Sequence, residues 1–196
     1  MQIKHKSGFL FYAGRFLFKM MFLIFFRCKS EGDENIPQDT GVIIAPNHIS
    51  FFDPPLTGSF MGRDLYFMAK QELFDMPVLG FLIKRTNAFP VKRGMQDMSA
   101  FRNVFSLLEN KKALLMFPEG TRSKTGNIGK ARPGVGMVAC TAQVPVIPVK
   151  IVNTDNMKKF KSVSIKYGKP VYPPKIYSKD DYLSFSQKIL DEIKKL

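Results

Sequence analysis

The chain has no tryptophan, two cysteines and two histidines among its 196 residues. Cys28 and Cys140 follow no metal-ligand or redox spacing, and no His/Cys cluster surrounds them, so no structural metal site is expected. Two unpatterned thiols fit a reducing, cytoplasmic setting. Acidic residues are scarce too: 16, against 30 Lys and Arg, for a formal charge of +14. That imbalance favours anionic partners, whether nucleic acid, a lipid surface or a phosphorylated substrate. No internal repeat and no low-complexity tract is present, which excludes a repeat architecture. Nor is there a long unbroken apolar run. The longest near the start, 20–26, is too short to span a bilayer. No small-residue cleavage site follows it, so a signal peptide is not expected.

What is present is a globular composition, 45% hydrophobic with 19 Phe. That suits one domain with a real core and room for an appendage. The appendage is the segment 9–26, FLFYAGRFLFKMMFLIFF, broken by Arg15 and Lys19. Four apart, those two bases share a helical face. An interfacial helix is expected over residues 1–29. Phe9, Phe22, Phe25 and Phe26 would enter the acyl boundary while Arg15, Lys19 and Arg27 meet phosphates, helped by Lys4, Lys6 and Lys29. A core helix with two snorkelling bases and a tilted span are the competing readings.

Residues 30–40, polar with Gly32 and Pro37, read as a linker into a main domain over 41–196. Strands are expected at 42–45, 65–69, 113–117, 146–152 and 163–167. Helices are expected at 98–110 with Asp97 as its cap, at 134–142, and at 178–196, where Ser178 and Asp181 suggest a capped start. The alternation argues for an α/β architecture.

Chemistry concentrates in a few blocks. Asn47-His48-Ile49-Ser50-Phe51-Phe52-Asp53 sets an imidazole and a carboxylate five positions apart. His5 lies among lysines near the start, so His48 is the candidate base near neutral pH. On a continuous helix the two would not share a face, and Pro54 disfavours helix at Asp53. They are expected to meet across a turn after strand 42–45. Taken alone, the pair reads first as a structural hydrogen bond. No Ser or Cys is set as a nucleophile, and Ser50 lacks a nucleophile-elbow pattern. A second block, Pro118-Glu119-Gly120-Thr121-Arg122-Ser123, follows strand 113–117. A tight turn there would present Glu119, the backbone around Gly120 and Thr121, and Arg122 to an anionic ligand, with Lys124, Lys130 and Arg132 following. The competing reading is a solvated basic loop. A third block runs Phe89-Pro90-Val91-Lys92-Arg93-Gly94. A fourth, Val144-Pro145-Val146-Ile147-Pro148-Val149, reads as an edge or bulged strand forming a wall. Lys70 ends strand 65–69 and by itself reads as a surface lysine.

In this order, these blocks resemble the glycerolipid acyltransferases, specifically the 1-acylglycerol-3-phosphate acyltransferase type. His48 through Asp53 matches that family's His-x4-Asp signature, and residues 117–123 match its third block almost letter for letter. The resemblance implies a mixed central sheet flanked by helices, with an N-terminal membrane-associating segment. It implies His48 as general base, Asp53 as its orienting carboxylate, and Arg93, Glu119, Gly120, Thr121 and Arg122 as the acceptor site. Lys70 and Arg132 would add phosphate-binding cations. The implied reaction moves an acyl group from an acyl carrier protein or coenzyme A thioester to the 2-hydroxyl of 1-acylglycerol 3-phosphate, giving phosphatidic acid. It implies no cofactor and no metal. Partners would be the lysophospholipid, the thioester donor and an anionic membrane surface on its cytoplasmic face, without nucleic acid. Alternatives are an acyltransferase for another lyso-acceptor or glycerol 3-phosphate, and a non-catalytic membrane-binding module.

Overall fold

The computed structural model describes residues 8–91, 98–123, 125–175 and 178–196. Among these the order is α1 (Phe9–Phe26), β1 (Lys29–Glu31), β2 (Val42–Pro46), α2 (Asp53–Phe60), β3 (Leu65–Lys70), α3 (Gln71–Phe74), α4 (Pro77–Ile83) and β4 (Ala88–Val91). Then follow α5 (Met98–Glu109), β5 (Ala113–Leu115), α6 (Gly134–Ala142), β6 (Val146–Val152), β7 (Ser164–Tyr167) and α7 (Lys179–Lys195). The strands form one sheet in the order β1-β7-β6-β2-β5-β3-β4. From β6 to β4 every neighbouring pair is parallel, and only β6–β7 is antiparallel. The sheet is therefore mixed and flanked by helices, as the family resemblance implied.

The central strands are apolar on both faces because both faces are covered. Under one face lie Phe22, Phe26, Leu56 and Phe60, with Ile44, Leu115 and Ile147 from the strands. Under the other lie Val104, Leu108, Val138, Leu190 and Ile193, with Ile43 and Leu114. Cys28 belongs to the first layer and Cys140 to the second, and both thiols are free. Burial pushes the Cys28 thiol up to about 12. On the second face α6 and α7 touch closely. A Cβ on Gly136 would stand 1.9 Å from the Tyr182 carbonyl oxygen, so only glycine fits there. Ser178 and Asp181 form the capping box that starts α7.

The expected strands and helices are all present, with ends shifted by a residue or two. The Asp97 cap lies outside the described residues. Two local expectations are corrected. Pro54 does not keep Asp53 out of a helix: Asp53 opens α2, and prolines occupy the first turn, where a missing N–H leaves no bond unmade. The proline-containing fourth block is not an edge strand but β6, in the middle of the sheet. Its bulge is real. The ladder pairs Val149 with Tyr167 but Val146 with Val171, so the partner strand carries one extra residue opposite Pro148. β1, in the polar stretch 29–31, pairs with β7 through backbone alone and had no apolar signal.

α1 is long and apolar enough to cross a membrane by length and composition. It lies along α2 instead of projecting away. Phe22 is buried against Phe60, Lys19 sits 5.6 Å from the Phe60 ring centroid, and Arg15 donates to the Met61 carbonyl and faces Asp64 at 3.8 Å. Phe26 is buried beneath Phe160. Positions 15, 19, 22 and 26 fall within about 60° of one another on a helix. On this stripe Phe22 and Phe26 are corrected from membrane-facing to buried, and Arg15 turns to Met61 and Asp64, while Lys19 stays exposed with its ammonium over the Phe60 ring. Their charges are met by Asp64, a carbonyl and a ring, and the two Phe by the core. Phe9 and Phe25 stand outward, with Leu10, Phe16, Leu17 and Ile24.

Candidate active site

In a parallel sheet all the strand C-termini open on one edge, where loops gather polar groups. Here that edge carries the end of β6, the His48 turn after β2, the Glu119 turn after β5, and Lys70 at the end of β3. Four blocks scattered along the sequence become neighbours through this one topological fact.

His48 follows β2 directly. Its Nδ1 donates to Asp53 Oδ2 at 2.7 Å, and the imidazole is 17% exposed. Its ring lies flat on Phe117, 3.7 Å between centroids at 14°. The carboxylate below and the phenyl alongside fix the imidazole, and Nε2 has no protein partner among the described residues. Asp53 is fully buried. Such a charge survives only when fully hydrogen-bonded. Besides His48, Oδ2 accepts the N–H groups of Ile49 at 2.7 Å and Ser50 at 2.8 Å. Oδ1 accepts the Thr154 hydroxyl at 2.6 Å. Asn47 braces the turn from the other side: its Nδ2 donates to Ile151 O at 3.0 Å, and Ile151 N–H returns to its Oδ1 at 2.7 Å.

Glu119 is placed differently from expectation. It is buried, and both oxygens are taken by backbone: Oε1 accepts the His48 N–H at 2.9 Å and Oε2 the Gly129 N–H at 2.7 Å. Glu119, expected at the acceptor site, is here a strut holding two loops together, each oxygen accepting one backbone N–H. The Ser123 N–H donates to His48 O at 2.8 Å and closes the same joint. Gly120 has φ +68°, a conformation that suits glycine, and its open face receives the Arg132 side chain. Thr121 and Arg122 are exposed at the tip of the turn. The Arg122 guanidinium lies 3.7 Å from the centroid of the Phe51 ring, on the His48 turn. Arg122 and Arg132 are thus exposed cations at the Glu119 turn, with no ion pair among the described residues. Lys70 is exposed two strands away from β2, about 10 Å at ordinary strand spacing. Arg93 and Lys124 lie outside the described residues.

Three contributors escaped the sequence reading. Thr154 touches Asp53 from 101 positions away. Phe117 and Asn47 lay within the matched blocks, but their spacing does not reveal a stack or a brace. The signal that could have found Thr154 is its position: a hydroxyl two residues past β6, where the other parallel strands also deliver their polar groups.

A family model described as Acyltransferase matches residues 27–152. A chloroplastic 1-acyl-sn-glycerol-3-phosphate acyltransferase of Arabidopsis thaliana is 32% identical over 133 residues, covering 66% of this chain and 37% of the relative. The 1-acyl-sn-glycerol-3-phosphate acyltransferase of Bacillus subtilis is 29% identical over 148 residues, 74% of this chain and 73% of the relative. The crystal structure of the 1-acyl-sn-glycerophosphate acyltransferase of Thermotoga maritima superposes with TM-score 0.70 at 28% identity, over 93% of this chain and 82% of that one. The chain spans less than half the length of the two chloroplastic relatives from Arabidopsis thaliana and Brassica napus, 37% and 47%. With the model matching well over half of its residues, and with the His48–Asp53 turn and the Glu119 turn inside the matched region, the chain belongs to the acyltransferase family.

Proposed function

We propose that the protein transfers an acyl group from a thioester to the 2-hydroxyl of 1-acylglycerol 3-phosphate, with His48 as the base. The observation that carries this reading is the saturation of Asp53. This buried carboxylate is held by four donors, and its one titratable partner is an imidazole whose far nitrogen has no protein partner among the described residues. Nε2 takes the proton of the acceptor hydroxyl as that oxygen attacks the thioester carbonyl. Asp53 stabilises the imidazolium. Collapse of the tetrahedral intermediate breaks the carbon–sulfur bond, and the departing thiolate recovers the proton from His48. No enzyme acyl intermediate is involved. The N–H groups of His48, Ile49 and Ser50 already serve carboxylates, so the oxyanion is held by other donors. Arg122 and Arg132 at the Glu119 turn suit the acceptor phosphate, and Lys70, two strands along, extends the cationic edge. The names of the relatives support the acceptor. The donor, acyl carrier protein or coenzyme A, is anionic in either case, and a +14 chain suits both.

The exposed apolar face of α1 supports a bilayer surface as the setting of this chemistry. Apolar on its exposed side and pinned along its inner one, α1 lies in the interface of the cytoplasmic leaflet without crossing it. The test is His48→Ala in purified protein, assayed with both donors on lipid vesicles. Transfer to 1-acylglycerol 3-phosphate should fall at least about 10³-fold while vesicle binding is kept. Transfer within tenfold of wild type would remove His48 from the role.

A further inference from the structure

The 3-10 turn Thr154–Lys159 leads from the active site to the end of α1, and there the chain displays Lys158-Lys159-Phe160-Lys161. Phe160 is 61% exposed. Its backbone is left-handed, φ 49° and ψ 32°, a region that bulky side chains rarely occupy. One face of its ring is stacked on Phe26, 5.8 Å between centroids at 8°. The loop is tied to α1 by backbone as well. The Val163 N–H donates to Phe26 O at 3.0 Å, and the Ser162 hydroxyl to Arg27 O at 3.2 Å. Around Phe160 the side chains of Lys158, Lys159, Lys161 and Arg27 are exposed, and so is Phe25. The acid of the turn, Asp155, is held by Asn156.

Core packing does not account for Phe160. A glycine would adopt this backbone without strain, and more than half of the phenyl faces water. Strained positions persist where something outside the local fold uses them. We propose that the 158–161 loop is a second membrane-contact element. Phe160 and Phe25 enter the boundary between headgroups and acyl chains, and Lys158, Lys159, Lys161 and Arg27 meet anionic phospholipid headgroups. The occupant is a lipid surface because Lys158, Lys159, Lys161 and Arg27 outnumber the one exposed acid of the turn, Asp155, and the exposed Phe25 is the chain neighbour of Phe26, on which Phe160 stacks. The proposal rests on the reading of α1 as an interfacial helix. It adds a second point of contact, which fixes the long axis of α1 along the surface. It also sets the loop that carries Thr154, and with it Asp53, at the boundary where a lysophospholipid headgroup lies.

The absence of tryptophan makes the test clean. Three single-tryptophan variants are mixed with vesicles of phosphatidylcholine and phosphatidylglycerol carrying bromine on the acyl chains. Phe160→Trp should shift to the blue and be quenched. Phe16→Trp, on the outer face of α1, should do the same. Tyr172→Trp, beside Val171 at the opposite end of β6, should be unchanged. Replacing Lys158, Lys159 and Lys161 with Gln should lower vesicle affinity about fivefold per lysine. Phe160→Gly, which relieves the backbone, should keep the melting temperature and lose affinity. An unquenched Phe160→Trp beside a quenched Phe16→Trp would overturn the loop and leave α1 docking intact. If neither is quenched, both fall. Equal quenching of Tyr172→Trp would mean unspecific adsorption and would also overturn the proposal.

Discussion

The catalytic edge of the sheet and the outer face of α1 are built on opposite terms. At the edge, two buried carboxylates have every oxygen occupied: Asp53 takes four donors and Glu119 takes two backbone N–H groups. On α1, large apolar side chains from Phe9 to Phe25 stand in the open. The first region is complete within the protein and is therefore rigid. The second leaves an apolar face uncovered among the described residues, the face proposed above to meet lipid. The contrast teaches that damage at the edge should reach fold and chemistry together, whereas damage on α1 should reach only the meeting with lipid.

The sharpest way to break that contrast is Glu119→Ala. It leaves the N–H groups of His48 and Gly129 without acceptors, at about 2–4 kcal/mol of stability. Thermal unfolding and acyl transfer should both fall, with Glu119→Gln between. Full stability with lost transfer would return Glu119 to the role of a substrate contact. Comparable in size is the pair Phe16→Ser and Leu17→Ser. At about 1.5–3 kcal/mol of apolar burial per side chain, vesicle affinity should drop by a hundredfold or more. The melting temperature should hold. A falling melting temperature would show that the outer face is covered by protein. The smallest effect is at Thr154. Removing its hydroxyl as Thr154→Val, at about 1–1.5 kcal/mol, should lower kcat/KM roughly tenfold with KM little changed. Thr154→Ser should restore it. A pure fall in stability without a change in kcat would make Thr154 a packing residue.

Much of the edge was legible because each parallel strand delivers its polar cargo at its own end. Strand 146–152 and helix 134–142 were read to the residue. The His48 and Glu119 turns were recognisable from short contiguous blocks. What was not legible depends on distance. Nothing local marks Thr154 as a partner of Asp53, or turns the carboxylate of Glu119 inward. The error on α1 has a different cause. Phe22 and Phe26 were expected to enter the acyl boundary, and Arg15 and Lys19 to meet lipid phosphates beside them. In this helix all four share one stripe, and the more apolar side is the one left open. Period alone gave the stripe; which side meets the protein was set by Asp64, Phe60 and Phe160, far along the chain.

The docking of α1 also has a history in time. Its inner stripe is made before the parts it rests on, and Phe160 follows Phe26 by 134 positions. At ordinary rates of synthesis, about 5–20 residues per second, that interval is roughly 7–27 s. For those seconds a nascent chain carries an apolar helix with neither face covered. A bilayer surface would receive the outer side at once. If α1 docks there, the protein folds downward from a helix already on a surface, and the contacts that close over Phe26 are the ring of Phe160 and then the N–H of Val163.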